Sequence, residues 1–508
     1  MAEPLRCVAP DSVLTGWDFS TGAVKCLAFD LDGHALAEVR LPTDLLTAGG
    51  VSELNLMQLE GQARACTRAI AARLRDQGRL RHWVAGGVSA THHTAGRIDR
   101  DRLQVRRAIC WNDHTLAEYH ARGLTRLGGQ ERVAQLIGGP WAIRYTLSHL
   151  VKDEQHLGEA DWRRTWRMLP HGALSAGYLT GNFDVVSVSA AASTGVMDLR
   201  SAQWRREMLE AIGRADFREL AWAQLPRIID QAEPVGPLAD HVCLEAGLER
   251  GQAPLVFPTS DDQQAGLVGG GAVDDGQLAV VLGNSAVVNS SSDRAPACGS
   301  LDVMRLNGGP YLWLRCYNNG AQFLDPIVGP NADWAALEAA ARAVEPGCNG
   351  IAVLPFANPE PSLGVAKAGV RWVGPEPSEP GVRFRAALEA LAYLIKYGVR
   401  EHEQAGQKVR RITVSGGIAR SDLMCEVLAS ALERPLERLV SFEGPALGAA
   451  VTALAALETH LRRKQGVQEA YTVADAVARM VKFRGSVAPN DRWRDAYRKG
   501  FAEFESRL

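Results

Sequence analysis

Asp261-Asp262-Gln263-Gln264 sets two carboxylates and two amides in a row, between a Pro-rich stretch and an apolar run. Ser260-x-x-Gln263 ahead of that run reads as a helix start, which places the acids at the positive end of the helix dipole. A carboxylate held there stays ionised and can accept the proton of an attacking hydroxyl. The alternative is that both acids only cap the first turn. Further on, Leu282-Gly283-Asn284-Ser285-Ala286-Val287 reads as a strand entering a turn of small polar residues, where backbone N–H groups can face a phosphate. The arrangement recurs near the N-terminus as Asp18-Phe19-Ser20-Thr21-Gly22-Ala23-Val24-Lys25. Asp18 closes its strand just before the turn, a position from which a carboxylate can hold Mg²⁺ directly or through water. Two phosphate-type hairpins with an acidic loop between them imply nucleotide-dependent phosphoryl transfer in an interdomain cleft.

The elements that must position these residues are readable in outline. Val13–Asp18, Val24–Phe29 and Ala35–Arg40 read as three strands, the last pair joined by the Asp32-Gly33 turn. Leu54–Leu74 is an amphipathic helix, with Leu56, Leu59, Ala63, Cys66 and Ile70 near helical spacing. Trp83–Val88 and Val105–Trp111 add strands. Gln277–Leu282 and Ala286–Ser290 repeat the strand–turn–strand plan of the N-terminus, which implies two related domains. The Pro- and Gly-rich stretches 234–238 and 251–258 put the boundary near residue 257. Phe384–His402, Asp422–Leu432 and Ala446–Leu457 read as helices, with a strand at Ile412–Val414. The expectation is an α/β protein with domains 1–257 and 258–482, and residues 483–508 as a docked terminal helix and tail.

At 508 residues the chain exceeds what one core supports, in keeping with two domains. Its net charge of −2, with both signs interspersed, leaves no electrostatic footprint for nucleic acid or an anionic membrane surface. Nine scattered cysteines without a Cys-x-x-Cys suit reduced thiols in a cytoplasmic protein. The N-terminus has no apolar secretory core, and no stretch approaches membrane-spanning length.

Taken in order along the chain, these motifs resemble the FGGY carbohydrate kinases, the xylulokinase-like members most closely. The resemblance rests on Asp18 to Lys25, Ser89-Ala90-Thr91-His92-His93, Trp111-Asn112-Asp113, Ala192 to Asp198 and Asp262-Gln263-Gln264-Ala265. It continues through Gly283-Asn284-Ser285, Ser415-Gly416-Gly417-Ile418-Ala419-Arg420-Ser421 and Glu443 to Ala450. It implies two ribonuclease-H-like domains of the actin and 70-kDa chaperone type, with mixed sheets flanked by helices around an interdomain cleft. It further implies ATP and Mg²⁺, a small sugar as acceptor, and a homodimer.

Residue by residue, the resemblance makes Asp262 the catalytic base and Asp18 the Mg²⁺ ligand. His92, His93, Trp111, Asn112, Asp113 and Gln263 are expected on the sugar. Ser20, Thr21, Gly22 and Lys25 are expected on the phosphates, with Gly283, Asn284 and Ser285 opposite them. Gly320, Gly416, Gly417 and Ser421 are expected on the adenosine. The chain departs from the family at Ser20 and Ile418, where Gly is usual, and at Asn284, where Thr is usual. The implied activity is phosphorylation of the terminal hydroxyl of a ketopentose, D-xylulose at O5. Two alternatives stand beside it: another polyhydroxy acceptor (ribulose, a tetritol or pentitol, a sugar acid) or a catalytically silent sugar or nucleotide sensor.

Overall fold

The computed structural model describes residues 3–508 apart from Arg250, Thr259, Cys298, Ser300, Pro330, Asn331 and Phe442. Thr259 of the acidic loop and Cys298 thus lie outside the described residues. The other eight cysteines are unpaired. Among the described residues no helix is long and apolar enough to cross a membrane.

Two seven-stranded sheets carry the architecture. In the first, Val13–Phe19 pairs antiparallel with Ala23–Phe29, and that strand with Ala35–Pro42. On its other side Val13–Phe19 runs parallel to Trp83–Ala90. Val13–Phe19 is buried at every position, as a strand covered on both faces must be. In the second sheet Gln277–Leu282 repeats the plan, antiparallel to Ala286–Ser292 and parallel to Arg411–Ser415. The duplicated hairpins therefore occupy equivalent places, each with a parallel strand from far along the chain beside it.

Several elements differ from the sequence expectation. Ser260–Asp261 pairs parallel with the end of Trp83–Ala90, so the first sheet continues past residue 257. The helix after it begins one residue later than the Ser260 cap implied. Its N-cap is Asp261, because Ser260 is held in the sheet. The C-terminal tail starts as a strand, Phe483–Val487, antiparallel to Leu436–Leu439, before the helix Arg494–Glu505.

The helix Gly444–Gln465 lies across the first sheet and against the helix Asp262–Gly269, bare backbone to bare backbone. A Cβ on Gly16 would fall 1.8 Å from the Ala446 carbonyl oxygen, and one on Gly448 would fall 1.8 Å from that of Ala265. No residue with a side chain fits at either place.

Candidate active site

The acid pair divides its labour at the helix start. Asp261 Oδ1 accepts from the backbone N–H groups of Gln263 at 3.1 Å and Gln264 at 3.0 Å, and Oδ2 from Gln264 Nε2 at 2.9 Å. It is the cap. Asp262, the first helical residue, instead accepts from the His92 N–H at 3.1 Å. Burial, followed by the charges of Asp261 and Asp18, pushes the Asp262 carboxyl up to about 8, so its place at the helix start does not keep it ionised as the sequence implied. Burial likewise pushes Asp261 up to about 7.

Asp18 is the last residue but one of its strand, Val13–Phe19. Ser89 Oγ donates to its Oδ1 at 3.0 Å, and Lys25 Nζ stands 4.0 Å from Oδ2. Burial raises Asp18 to about 6 despite Lys25. Lys25 is held by Glu443 Oε2 at 2.5 Å, from the loop before the helix that crosses the sheet. Buried carboxylates so weakly offset by protein cations suit a divalent cation. Among the described residues His92, Asp261 and Asp262 bring possible ligand atoms within 4.8 Å of one another, although Asp261 is also engaged by helix amides.

A cavity of about 130 Å³ opens beside Asp262. Ser20 and Thr21 of the first turn reach it, as do Ser285 of the second turn and Gln263, His92, His93 and Trp111. The His92 and His93 rings stack at 3.4 Å, and His93 stacks on Tyr145 at 4.2 Å. Burial holds both imidazoles well below the usual histidine range, hence neutral. His93 Nδ1 lies 2.9 Å from the Ser193 carbonyl oxygen, so Nδ1 carries the proton and Nε2 is left as an acceptor. Among the described residues His92 Nε2, His93 Nε2 and Arg144 Nε are buried without a hydrogen-bond partner. His93 also has φ +53°, a left-handed conformation that costs a non-glycine residue energy and clusters at functional sites.

Asn112 and Asp113 lie behind this wall rather than in it. Ser52 Oγ donates to Asn112 Oδ1 at 2.8 Å. Asp113 accepts from the Thr115 N–H at 2.8 Å and from Lys152 Nζ at 3.1 Å. Both tie the loop that presents Trp111. No motif surrounds Arg144 in the sequence.

A second cavity, about 630 Å³, lies beyond the second turn. Gly283, Asn284, Gly417 and Ser421 line it, together with Ile418, Trp334 and Phe384. Aromatic and aliphatic walls of this kind accept a flat heterocycle. Gly416 (φ +95°) and Gly320 act by absence: a Cβ on either would stand 2.4 Å from a carbonyl oxygen, of Leu282 and Gly283 respectively. Ser421 uses its hydroxyl to cap the helix Asp422–Leu432. The two turns also differ. Ser20 Oγ accepts from the Ala23 N–H at 3.1 Å, withdrawing one amide from the first turn. In the second turn the Gly283 N–H is taken by the Ser285 carbonyl oxygen at 3.0 Å.

Residues 13–269 match the N-terminal domain of the FGGY family of carbohydrate kinases, and residues 315–457 match its C-terminal domain. The chain belongs to this family. This FGGY kinase is 28% identical over 445 residues to the xylulose kinase of Escherichia coli (strain K12), covering 86% of the chain and 88% of that protein. Its fold matches that of a xylulose kinase from Brucella ovis (TM-score 0.84, 20% identity, 98% of each chain). It matches a gluconate kinase from Lactobacillus acidophilus almost as well (TM-score 0.83, 18% identity, 97% of each chain). Kinases of this family use ATP as the phosphoryl donor, and the FGGY kinase described here is a two-domain enzyme of that ATPase fold.

Proposed function

We propose that this kinase transfers the γ-phosphate of ATP to the terminal hydroxyl of a ketopentose, D-xylulose at O5, giving D-xylulose 5-phosphate. One observation carries the reading: a single small cavity receives both phosphate turns, the free acid Asp262 and unpartnered polar atoms suited to a sugar's hydroxyls. Asp262 takes the proton of the attacking hydroxyl. His93 Nε2 accepts from a second hydroxyl, and Gln263 contacts another. Ser20, Thr21 and the turn Gly283–Ser285 face the phosphates across the cleft, and Gly416 and Gly417 let the adenosine approach the backbone. Asp18 would hold Mg²⁺, which when bound neutralises charge on the phosphate oxygens. The transition state of phosphoryl transfer is loose, so aligning the hydroxyl matters more than base strength. The unpaired thiols suit a cytoplasmic setting.

A sugar acid is the less favoured acceptor. The one cation lining the cavity among the described residues, Arg144, is paired through Nη2 with Asp302, whose negative charge would repel a substrate carboxylate beside it. The sequence relatives that are xylulose kinases point the same way. ADP release measured over ketoses, pentitols and sugar acids, with wild type and Asp262→Ala, tests the proposal. Turnover is expected with D-xylulose and is expected to vanish in the variant. Equal turnover by both proteins would discard Asp262 as the base.

A further inference from the structure

Arg144 belongs to the loop between the helices Gln130–Ile137 and Thr146–His156, on the side of the cleft that carries the first sheet. Its Nη2 donates to Asp302, the first residue of the edge strand Asp302–Arg305 of the second sheet. Other bonds join the same edge to the first lobe. Arg305 Nη1 donates to the Leu199 carbonyl oxygen at 2.7 Å, and the Ser189 N–H donates to Asn307 Oδ1 at 2.9 Å. The ion pair therefore crosses from one lobe to the other at the rim of the sugar cavity, and Arg144 Nε is buried there with nothing to donate to.

A ketopentose in water closes its O5 onto C2. In that ring O5 carries no proton, so Asp262 has nothing to remove. Transfer to O5 requires the open chain, in which the C2–O5 bond has broken, O5 has regained its proton and the C2 carbonyl has re-formed. A site that selects this form needs a hydrogen-bond donor for the carbonyl. His93 Nε2 is an acceptor, and His92 Nε2 faces Asp261 Oδ2 at 3.8 Å. Thr21, Trp111 and Gln263 also bring donors to the cavity, but Arg144 Nε–H is the charged one and is buried without a partner.

We propose that Arg144 is the specificity-determining residue that reads the C2 carbonyl, donating from Nε while Asp302 of the opposite lobe fixes the guanidinium. The inference rests on the ketopentose reading above. It makes ketone recognition conditional on the two lobes standing together, because the group that orients the donor belongs to the far side of the cleft.

The test compares D-xylulose with xylitol, which has the terminal hydroxyl but neither a carbonyl nor a ring form. In Arg144→Gln, kcat/KM for D-xylulose is expected to fall about 10- to 100-fold, the range of a hydrogen bond to a charged group. For xylitol it should change less than about threefold. Asp302→Asn, which loosens the guanidinium without removing it, should fall between wild type and Arg144→Gln on D-xylulose. With D-xylulose labelled with ¹³C at C2, the wild type should show a bound ketone resonance displaced from that of the free open chain, and Arg144→Gln should lose the displacement. Equal losses on both acceptors overturn the role of Arg144 and leave the ketopentose reading standing, whereas a ring-form C2 signal in the wild-type complex overturns both, since a ring O5 has no proton to give. A wild type that phosphorylates xylitol or a sugar acid but no ketose overturns both. Should Arg144→Gln fail to fold, Asp302→Asn carries the same comparison.

Discussion

The cavity beside Asp262 measures about 130 Å³ and presents side-chain polar atoms, whereas the one beyond Gly416 measures about 630 Å³ and is walled mainly by backbone and apolar side chains, with Asp325, Glu338 and Arg420 also in its lining. On the first side, buried nitrogens without partners cost energy until a ligand supplies them. Such a site rejects a molecule whose hydroxyls fall elsewhere. On the second side glycines and aromatic walls fit a shape, so a poor match loses contact area but strands few polar groups. Discrimination is therefore expected to be sharp for the acceptor and lenient for the nucleotide base.

The largest effect should come from the proposed base. Asp262→Ala is expected to lower kcat by about 10²- to 10⁴-fold, the usual contribution of a general base, in a single-turnover assay. Because its carboxyl is raised to about 8 and only the ionised form serves as base, kcat/KM for the sugar should rise with pH and level off above that value. Asp261→Asn removes a neighbouring negative charge and should move the rise to lower pH. The same shift has a stability signature. A carboxyl whose folded value is raised gives most stability in acid and loses it as pH rises between its ordinary value and the raised one. The thermal stability gained by Asp262→Asn should thus grow from pH 5 to pH 8, and a gain that shrinks would contradict the burial argument.

Next comes the acceptor wall. His93→Ala is expected to lower kcat/KM for the sugar about 100-fold and leave KM for ATP within about twofold. If both constants moved together, the division between the two cavities would be lost. Gly416→Ala forces a Cβ to within 2.4 Å of the Leu282 carbonyl oxygen at φ +95°. It should raise KM for ATP about tenfold and cost about 1–3 kcal/mol of stability, with KM for the sugar little changed. The smallest effect is expected from Ser20→Gly. Removing the hydroxyl frees the Ala23 N–H and should lower KM for ATP about two- to fivefold. An unchanged KM would show that this amide never meets a phosphate.

Much of the frame was legible because its signals are local. The hairpin turns at Ser20–Gly22 and Gly283–Ser285, the strands leading to them and the Asp262 position each declare themselves within a few residues. Gly416 and Gly417 after the strand Arg411–Ser415 stood out only in order with the other motifs. What escaped lies between segments. The capping register turned on whether Ser260 joined a sheet whose partner strand is Trp83–Ala90. Asn112 and Asp113 sit in a pattern that suggests a sugar, yet their partners are Ser52, Thr115 and Lys152. Arg144 and Asp302 meet only once both lobes are built, as do Lys25 and Glu443. No spacing rule along one chain encodes a meeting across a cleft.

The helix Gly444–Gln465 has a consequence for anyone wishing to cut this gene in two. Expressed alone, a piece ending at the Pro-rich junction would display a groove of naked main chain at Gly16 and Gly87, moulded to a partner it no longer has. Such a piece should come out insoluble, and supplying the remaining residues in trans should rescue it.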